Sequence, residues 1–432
     1  MSRRERKPRK ETGPPVRAVF LALVLLLAAG LALAPAGRVR ADDPGDNAAE
    51  KRERKNYAAG EWAFKKLSSA HELLAEEKYD AARKLMDEMS RRKSLNAHEQ
   101  ALMWQTYAYI QSSQDQYDQA ITSFEKCLAM DAMPEAAALG TQYNLGQLYM
   151  SVERYKDAAR VLEDWLGQVE NPAGSAYYLV AMAHVQLEDA NAALPYARKA
   201  VEVAKKPVEA WLQLLLAVEF ELKHYKQVAK VLEVLVTHFP KKNYFLQLSA
   251  VYGELGRDKR ALSALELAYV QGLLDRESEL LNLAQAYLYH DIPYRAAQVL
   301  EKGLAEKIIV EDAKHWELLG DSWLHAREYD EALEPLRRAA ALSEDGNLYV
   351  RIAQVHLERD ESREAREALE KGLSKGKLDN PGNAYLLLGI THTGAKRHAA
   401  ARKAFAKAGE YEKSRKAARD WMKHLEHQEA IQ

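Results

Sequence analysis

The sequence predicts an all-α fold: about ten helix pairs stacked as a solenoid and closed by one C-terminal capping helix. Three observations predict it. The same comb of large and small residues returns ten times, at intervals of 33 to 38 residues. No run of strict apolar–polar alternation, the mark of a half-buried strand, stands out along the chain. Hydrophobic residues make up 47% of the 432, enough to fill a core, and the 29% that are charged alternate in sign along the helices as solvated faces do. Length alone suggests two or three domains. A solenoid accounts for it better, because each unit buries its apolar face on its neighbours and the array grows without a new core.

The units can be set out in order. A degenerate first copy carries Ala70, Tyr79, Ala82 and Met86. Trp104, Ala108, Tyr117, Ala120, Phe124 and Cys127 form the second, and Leu145, Gly146, Tyr149, Tyr155, Ala158 and Leu162 the third. Tyr177, Ala181, Ala193 and Ala200 follow, then Trp211, Leu215, Tyr225 and Leu232. Leu248, Tyr252, Gly256, Ala261, Leu265 and Ala268 precede Leu283, Ala284, Tyr287, Ala296, Leu300 and Gly303. The clearest copy is Trp316, Leu319, Gly320 and Trp323 on a first helix, with Tyr329, Ala332, Leu336 and Ala339 on a second. Tyr349, Ile352, Ala353, Ala365 and Leu369 come next, then Tyr385, Leu388, Gly389, Ala401, Phe405 and Ala408. Small residues such as Gly320 and Ala332 let two helix backbones approach, and the large ones fill the space around the contact. Pro134, Pro172, Pro207, Pro240 and Pro381 fall between units, where they stop one helix and admit the next. Residues 411–427 read as a capping helix with Tyr411, Ala418, Trp421, Met422 and Leu425 on one face, and 411–432 as cap and tail.

A period near ~34 residues with a W…LG…Y…A…F/L…A comb resembles the tetratricopeptide repeat, over roughly residues 63 to 410. The resemblance implies a right-handed α-α superhelical solenoid over residues 56–410. It also implies that the first helix of each pair lines a concave groove. The groove positions beside the comb are Gln105, Tyr109, Tyr143, Gln147, Met150, Tyr178, Met182, Gln186, Gln213, Phe220, Gln285, Tyr289 and Gln354. Tyr and Met give adaptable apolar contact and Gln can bond a peptide backbone, so the expected ligand is an extended peptide or a partner helix. The Lys/Arg/Asn clusters of carboxylate-clamping chaperone adaptors are not at these positions.

The N-terminus has the three-part layout of a bacterial secretory signal. Residues 1–17 carry seven Lys/Arg against two Glu, Ala18 to Pro35 is continuously apolar, and Val39-Arg40-Ala41 ends in a small residue. An uncleaved anchor is the alternative, since 18 apolar residues stand at the lower limit for spanning. Either way the basic flank stays in the cytoplasm and the repeats are expected in the periplasm. Residues 42–55 read as a flexible tether. The leader, 1–41, holds nine Lys/Arg and two Glu, so without it the net charge moves from −1 to −8. An acidic chain is a poor ligand for nucleic acid, and contact with the inner membrane is expected only through residues 18–35.

No catalytic constellation, cofactor motif or metal site is expected. The single cysteine, Cys127, occupies a comb position held elsewhere by Ala or Gly and reads as a small core residue. His424 and His427 are three apart without a visible third ligand. Gly140 and Gly146 lack the Lys-Ser/Thr of a phosphate loop. The chain is therefore read as a non-enzymatic scaffold for protein partners, with no small-molecule substrate.

Four stretches carry a narrower resemblance: NYFLQLSAVYGELGRDKRAL (243–262), LLNLAQAYLYHDIPYRAAQVLEKGL (280–304), HWELLGDSWLHAREYDEALEPLRRAA (315–340) and KGKLDNPGNAYLLLGI (375–390). They look like periplasmic repeat proteins that accompany proteobacterial TonB energy-transduction systems. That resemblance implies an accessory role in TonB-dependent transport such as iron uptake, with TonB or its proton-channel components as partners. A scaffold for polysaccharide export or outer-membrane assembly is the alternative.

Overall fold

The computed structural model describes residues 58–431, so the expected leader and tether lie outside the described residues. Among the described residues there are 21 helices and no strand. They fall into two compact units that divide at Pro240–Lys241. The first unit holds five helix pairs: α1 Glu61–Ala75 with α2 Tyr79–Ser90, α3 Ala97–Ser113 with α4 Tyr117–Ala129, α5 Glu135–Ser151 with α6 Tyr155–Leu166, α7 Gly174–Gln186 with α8 Ala190–Glu202, and α9 Glu209–Glu221 with α10 Tyr225–His238. The second holds five more: α11 Lys242–Glu254 with α12 Asp258–Val270, α13 Glu277–Tyr289 with α14 Pro293–Ala305, α15 Ala313–His325 with α16 Tyr329–Leu342, α17 Asn347–Glu358 with α18 Ser362–Lys375, and α19 Pro381–Gly394 with α20 His398–Gly409. A final helix, α21 Glu412–Ile431, packs on α20 and α19.

The comb is the core. Ala82, Ala120, Ala158, Ala193, Ala296, Ala332, Ala365 and Ala401 on the second helices are fully buried. Close approach at these sites is strict: a Cβ added to Gly320 would stand 2.7 Å from Leu336 Cδ2. Proline is less of a boundary marker than the sequence suggests. Pro195 and Pro335 lie inside α8 and α16, where each removes one backbone donor from its helix.

The turns inside the pairs share a geometry the sequence hardly marks. Each of the ten places one residue at positive φ: Glu77, Asp115, Glu153, Glu188, Lys223, Gly256, Asp291, Arg327, Asp360 and Lys396. Only one of these is glycine. The next backbone N–H then reaches back five residues, as from Arg154 to the Tyr149 carbonyl at 2.9 Å and from Glu328 to that of Trp323 at 3.0 Å. This 6→1 bond is the Schellman closure of a helix C-terminus, and it fixes where the second helix starts.

At four of the turns the residue whose carbonyl closes the turn also ties its pair to the preceding one. Tyr149 donates its hydroxyl proton to Glu125 on α4, and His184 Nε2 lies 2.7 Å from Glu163 on α6. Glu219, buried on α9, accepts from Arg198 Nε on α8 at 2.8 Å, and Tyr287 is bonded to Glu266 on α12. These rungs place a polar contact in four of the seams between successive pairs.

At the end of the second unit, Ala418 and Leu425 of α21 are buried and the Trp421 ring stacks on Phe405 at 6.0 Å. Leu425 closes a cluster with Ala401 and Phe405 that would otherwise face water.

A candidate interaction face on the first helices

The residue after each small comb position forms a register row along the first helices. In the first unit the row runs Tyr109, Gln147, Met182 and Ala217; in the second it runs Ala250, Gln285, Asp321, Gln354 and Ile390. Gln147, Gln285 and Gln354 are exposed, and Tyr289, one turn along α13, is 61% exposed with its ring edge-on to His290. These four present their side chains outward.

Several of the other residues are engaged between helices. Gln105 donates through Nε2 to Thr141 Oγ1 at 2.8 Å. Tyr109 meets Phe124 edge-on at 5.4 Å, and its hydroxyl accepts from Asn144 Nδ2 at 3.3 Å. Tyr143 lies 4.8 Å from the Trp165 ring and Tyr178 stacks on Trp211 at 6.2 Å. Burial raises the pKa of all three tyrosines above the ordinary phenol value. Met182 is buried and Met150 packs against the core cluster of α3 to α7. Phe220 meets Tyr225 edge-on, while Gln186 and Gln213 are half-buried. The structure thus divides the thirteen residues: rings and methionines of the first unit mostly join neighbouring helices, and the polar residues of the second unit are the more accessible.

The face also carries charge that the sequence reading left out. Arg351 on α17 donates through Nη1 to Glu317 at 2.9 Å and through Nη2 to Asp321, both on α15. Asp321 follows Gly320 as Gln285 follows Ala284, so the register itself could have found it. One cation shared by two half-exposed carboxylates leaves a local negative excess, a place for a donor group of a ligand.

Cys127 is buried, with its sulfur 3.1 Å from Met133 Sδ. Burial pushes its thiol up to about 12. A thiol reagent at pH 8 is therefore expected to leave the native protein untouched and to label Cys127 on unfolding in urea. Prompt labelling in native buffer would show instead that α4 opens locally. Among the described residues no group of three His, Cys, Asp or Glu is placed to hold a metal, and no helix is long and apolar enough to cross a membrane. Of the two histidines that the sequence set three apart, His424 lies edge-on to the Trp421 ring at 5.5 Å.

Comparison with known proteins agrees with the repeat geometry. One model of the tetratricopeptide repeat matches residues 143–210, 281–347 and 350–415, and a second matches 101–132. No curated protein matches the chain. A tetratricopeptide repeat protein from Parabacteroides merdae is 18% identical, with 61% of this chain and 99% of that one covered and a TM-score of 0.36. YrrB, described as a TPR protein with an unusual peptide-binding site, is 23% identical over 38% of this chain and 83% of its own, with a TM-score of 0.32. MamA is 25% identical over 39% of this chain and 97% of its own, also at a TM-score of 0.32. With the comb buried, ten closed turns and two repeat models matching along it, the chain belongs to the tetratricopeptide repeat family.

Proposed function

We propose that this chain is a non-enzymatic periplasmic scaffold that holds a protein partner on its first-helix face and serves a TonB-dependent transport system. The repeats make it a protein–protein interaction scaffold. The observation that carries the rest of the binding reading is the accessible set Gln285, Tyr289 and Gln354 beside the Glu317–Arg351–Asp321 network. An exposed aromatic, two amides able to bond a backbone and a local negative excess suit an extended segment with basic side chains. The leader pattern in residues 1–41 and the likeness of residues 243–390 to TonB-associated repeat proteins support the location and the partner system.

The substitutions Gln285→Ala, Tyr289→Ala and Gln354→Ala together are expected to weaken partner capture about tenfold or more while leaving helix content unchanged. Tyr143→Ala and Tyr178→Ala are poorer probes, because each also removes a packed ring. The system is tested by deletion. Loss of the gene is expected to impair TonB-dependent uptake of at least one iron source, and a TonB component should co-purify with the protein. Normal uptake of every source, with no such component recovered, would overturn the TonB reading and favour an envelope-biogenesis scaffold.

A further inference from the structure

Three first helices carry a histidine at the position whose carbonyl closes the turn: His184, His356 and His392. Two of them meet a carboxylate. His184 Nε2 lies 2.7 Å from Glu163, and His356 Nδ1 lies 2.6 Å from Glu361. His392, on α19, meets none. It is 9% exposed, and its Nδ1 is buried without a hydrogen-bond partner among the described residues. The register does offer one. Glu370 stands on α18 five residues after Ala365, as Glu163 stands on α6 five after Ala158. Glu370 is engaged elsewhere: its Oε1 lies 3.7 Å from Arg366 Nε, and more than half of its side chain faces water.

The surroundings of the ring oppose a second proton. From α18 it is faced by Arg366 and Glu370, and from the turn between α19 and α20 by Arg397, with His398 next to it in the chain. The buried residues of α20 are Ala401, Ala404, Phe405 and Ala408, and those of α21 are Ser414, Ala418 and Leu425, so neither helix buries a charge against α19. Two guanidiniums therefore stand against one exposed, shared carboxylate. Burial, then Arg366 and Arg397, holds the imidazole below the usual histidine range, against the pull of Glu370. In the neutral ring Nδ1 can carry the bare lone pair. A proton added there would be a buried donor with nothing to accept it.

We propose that His392 is a pH-sensitive latch on the seam between α18 and α19: neutral, it keeps the tenth pair docked, and protonated, it releases that pair together with α21. The last pair is the one that can leave alone. Stability in a stacked array is roughly a sum over neighbouring seams, and the tenth pair meets the rest of the array chiefly through α18. The direction of the effect follows from proton binding. A released histidine takes its proton near pH ~6.5, and the docked one only at lower pH. Docking is thus fully favoured above about pH 6.5 and weakens as the pH falls below it, by at most about tenfold per pH unit. The latch lies within the second unit and does not depend on what the first-helix face binds.

The test is hydrogen exchange of the full chain, read by mass spectrometry between about pH 7.5 and 5 and corrected for the intrinsic exchange rate. Protection of α19 to α21 is expected to fall by up to about tenfold per pH unit below about pH 6.5. His392→Phe places an uncharged ring where Trp323 and Tyr287 stand buried in other pairs, and it should remove most of that fall. Should this variant fold poorly, Arg366→Gln serves instead. It takes away one facing cation and frees Glu370 for the ring, so the fall should again shrink. A parent with no pH dependence in α19 to α21, or the same fall in parent and variants, would overturn the proposal. So would protection that rises on acidification, which would mean that Glu370 takes the protonated ring as Glu163 takes His184.

Discussion

Gly346→Ala is expected to destabilise the second unit by about 3 kcal/mol, a large effect for one methyl group. Gly346 caps the N-terminus of α17, and a Cβ built on it would stand 2.1 Å from the carbonyl oxygen of Gly372 on α18. The approach is mutual: a Cβ on Gly372 would stand 2.9 Å from the Gly346 oxygen. The obstacle is backbone, which cannot rotate away as the end of a side chain can. The Gly346 N–H also donates to the Gly376 carbonyl at 2.9 Å, so moving the strand of chain aside breaks a bond as well. The control is Gly140→Ala in α5, where nothing lies within 4 Å of the added atom. There alanine should stabilise the helix by about 0.5 to 1 kcal/mol, because glycine in a helix interior loses more backbone freedom. Urea titration followed by circular dichroism separates the two. If both substitutions move the midpoint in the same direction, the contact between α17 and α18 is looser than its geometry implies.

The fold was legible because the repeat writes the same steric requirement ten times. A small residue at Gly320 or Ala332 is informative alone, but its return at a fixed interval is what excludes other all-α arrangements. The turns were less legible. Nine of the ten positive-φ residues are not glycine, so the usual residue signal is missing and the bond pattern alone defines them. The candidate face was half legible. The comb places its residues on the first helices, yet register does not reveal which side chains reach across to a neighbouring helix. Tyr143 and Tyr178 lie in positions that could face a ligand, and Trp165 and Trp211 take them up instead. Asp321 stood in the same register row, but its partners Arg351 and Glu317 were invisible for the opposite reason: scattered charges look like solvated surface until the fold joins them.

The second large effect lies at the rung between α8 and α9. Glu219 is 2% exposed, yet its carboxylate is held at both oxygens. Arg198 gives Nε and Nη2 to Oε1 at 2.8 and 2.7 Å, and His224 Nδ1 stands 2.8 Å from Oε2. Arg198→Ala should therefore cost about 3 kcal/mol, because it leaves a buried carboxylate with one remaining partner. Glu219→Leu behaves differently. It removes the charge together with its need for a partner, and its neighbours on α9 include Leu212, Leu215, Leu216 and Val218. The corresponding position holds Trp323 in the pair of α15 and α16 and Tyr252 in that of α11 and α12, so an apolar group fits the seam there. Glu219→Leu is expected to lie within about 1 kcal/mol of the parent, and adding Arg198→Ala to it should cost little more, since exposed Arg198 then has nothing buried to satisfy. A double-mutant cycle by urea unfolding measures the coupling, which should be about 2 to 3 kcal/mol. Additive losses would mean that Arg198 contributes by packing its stem along α9, and that the carboxylate is satisfied without it.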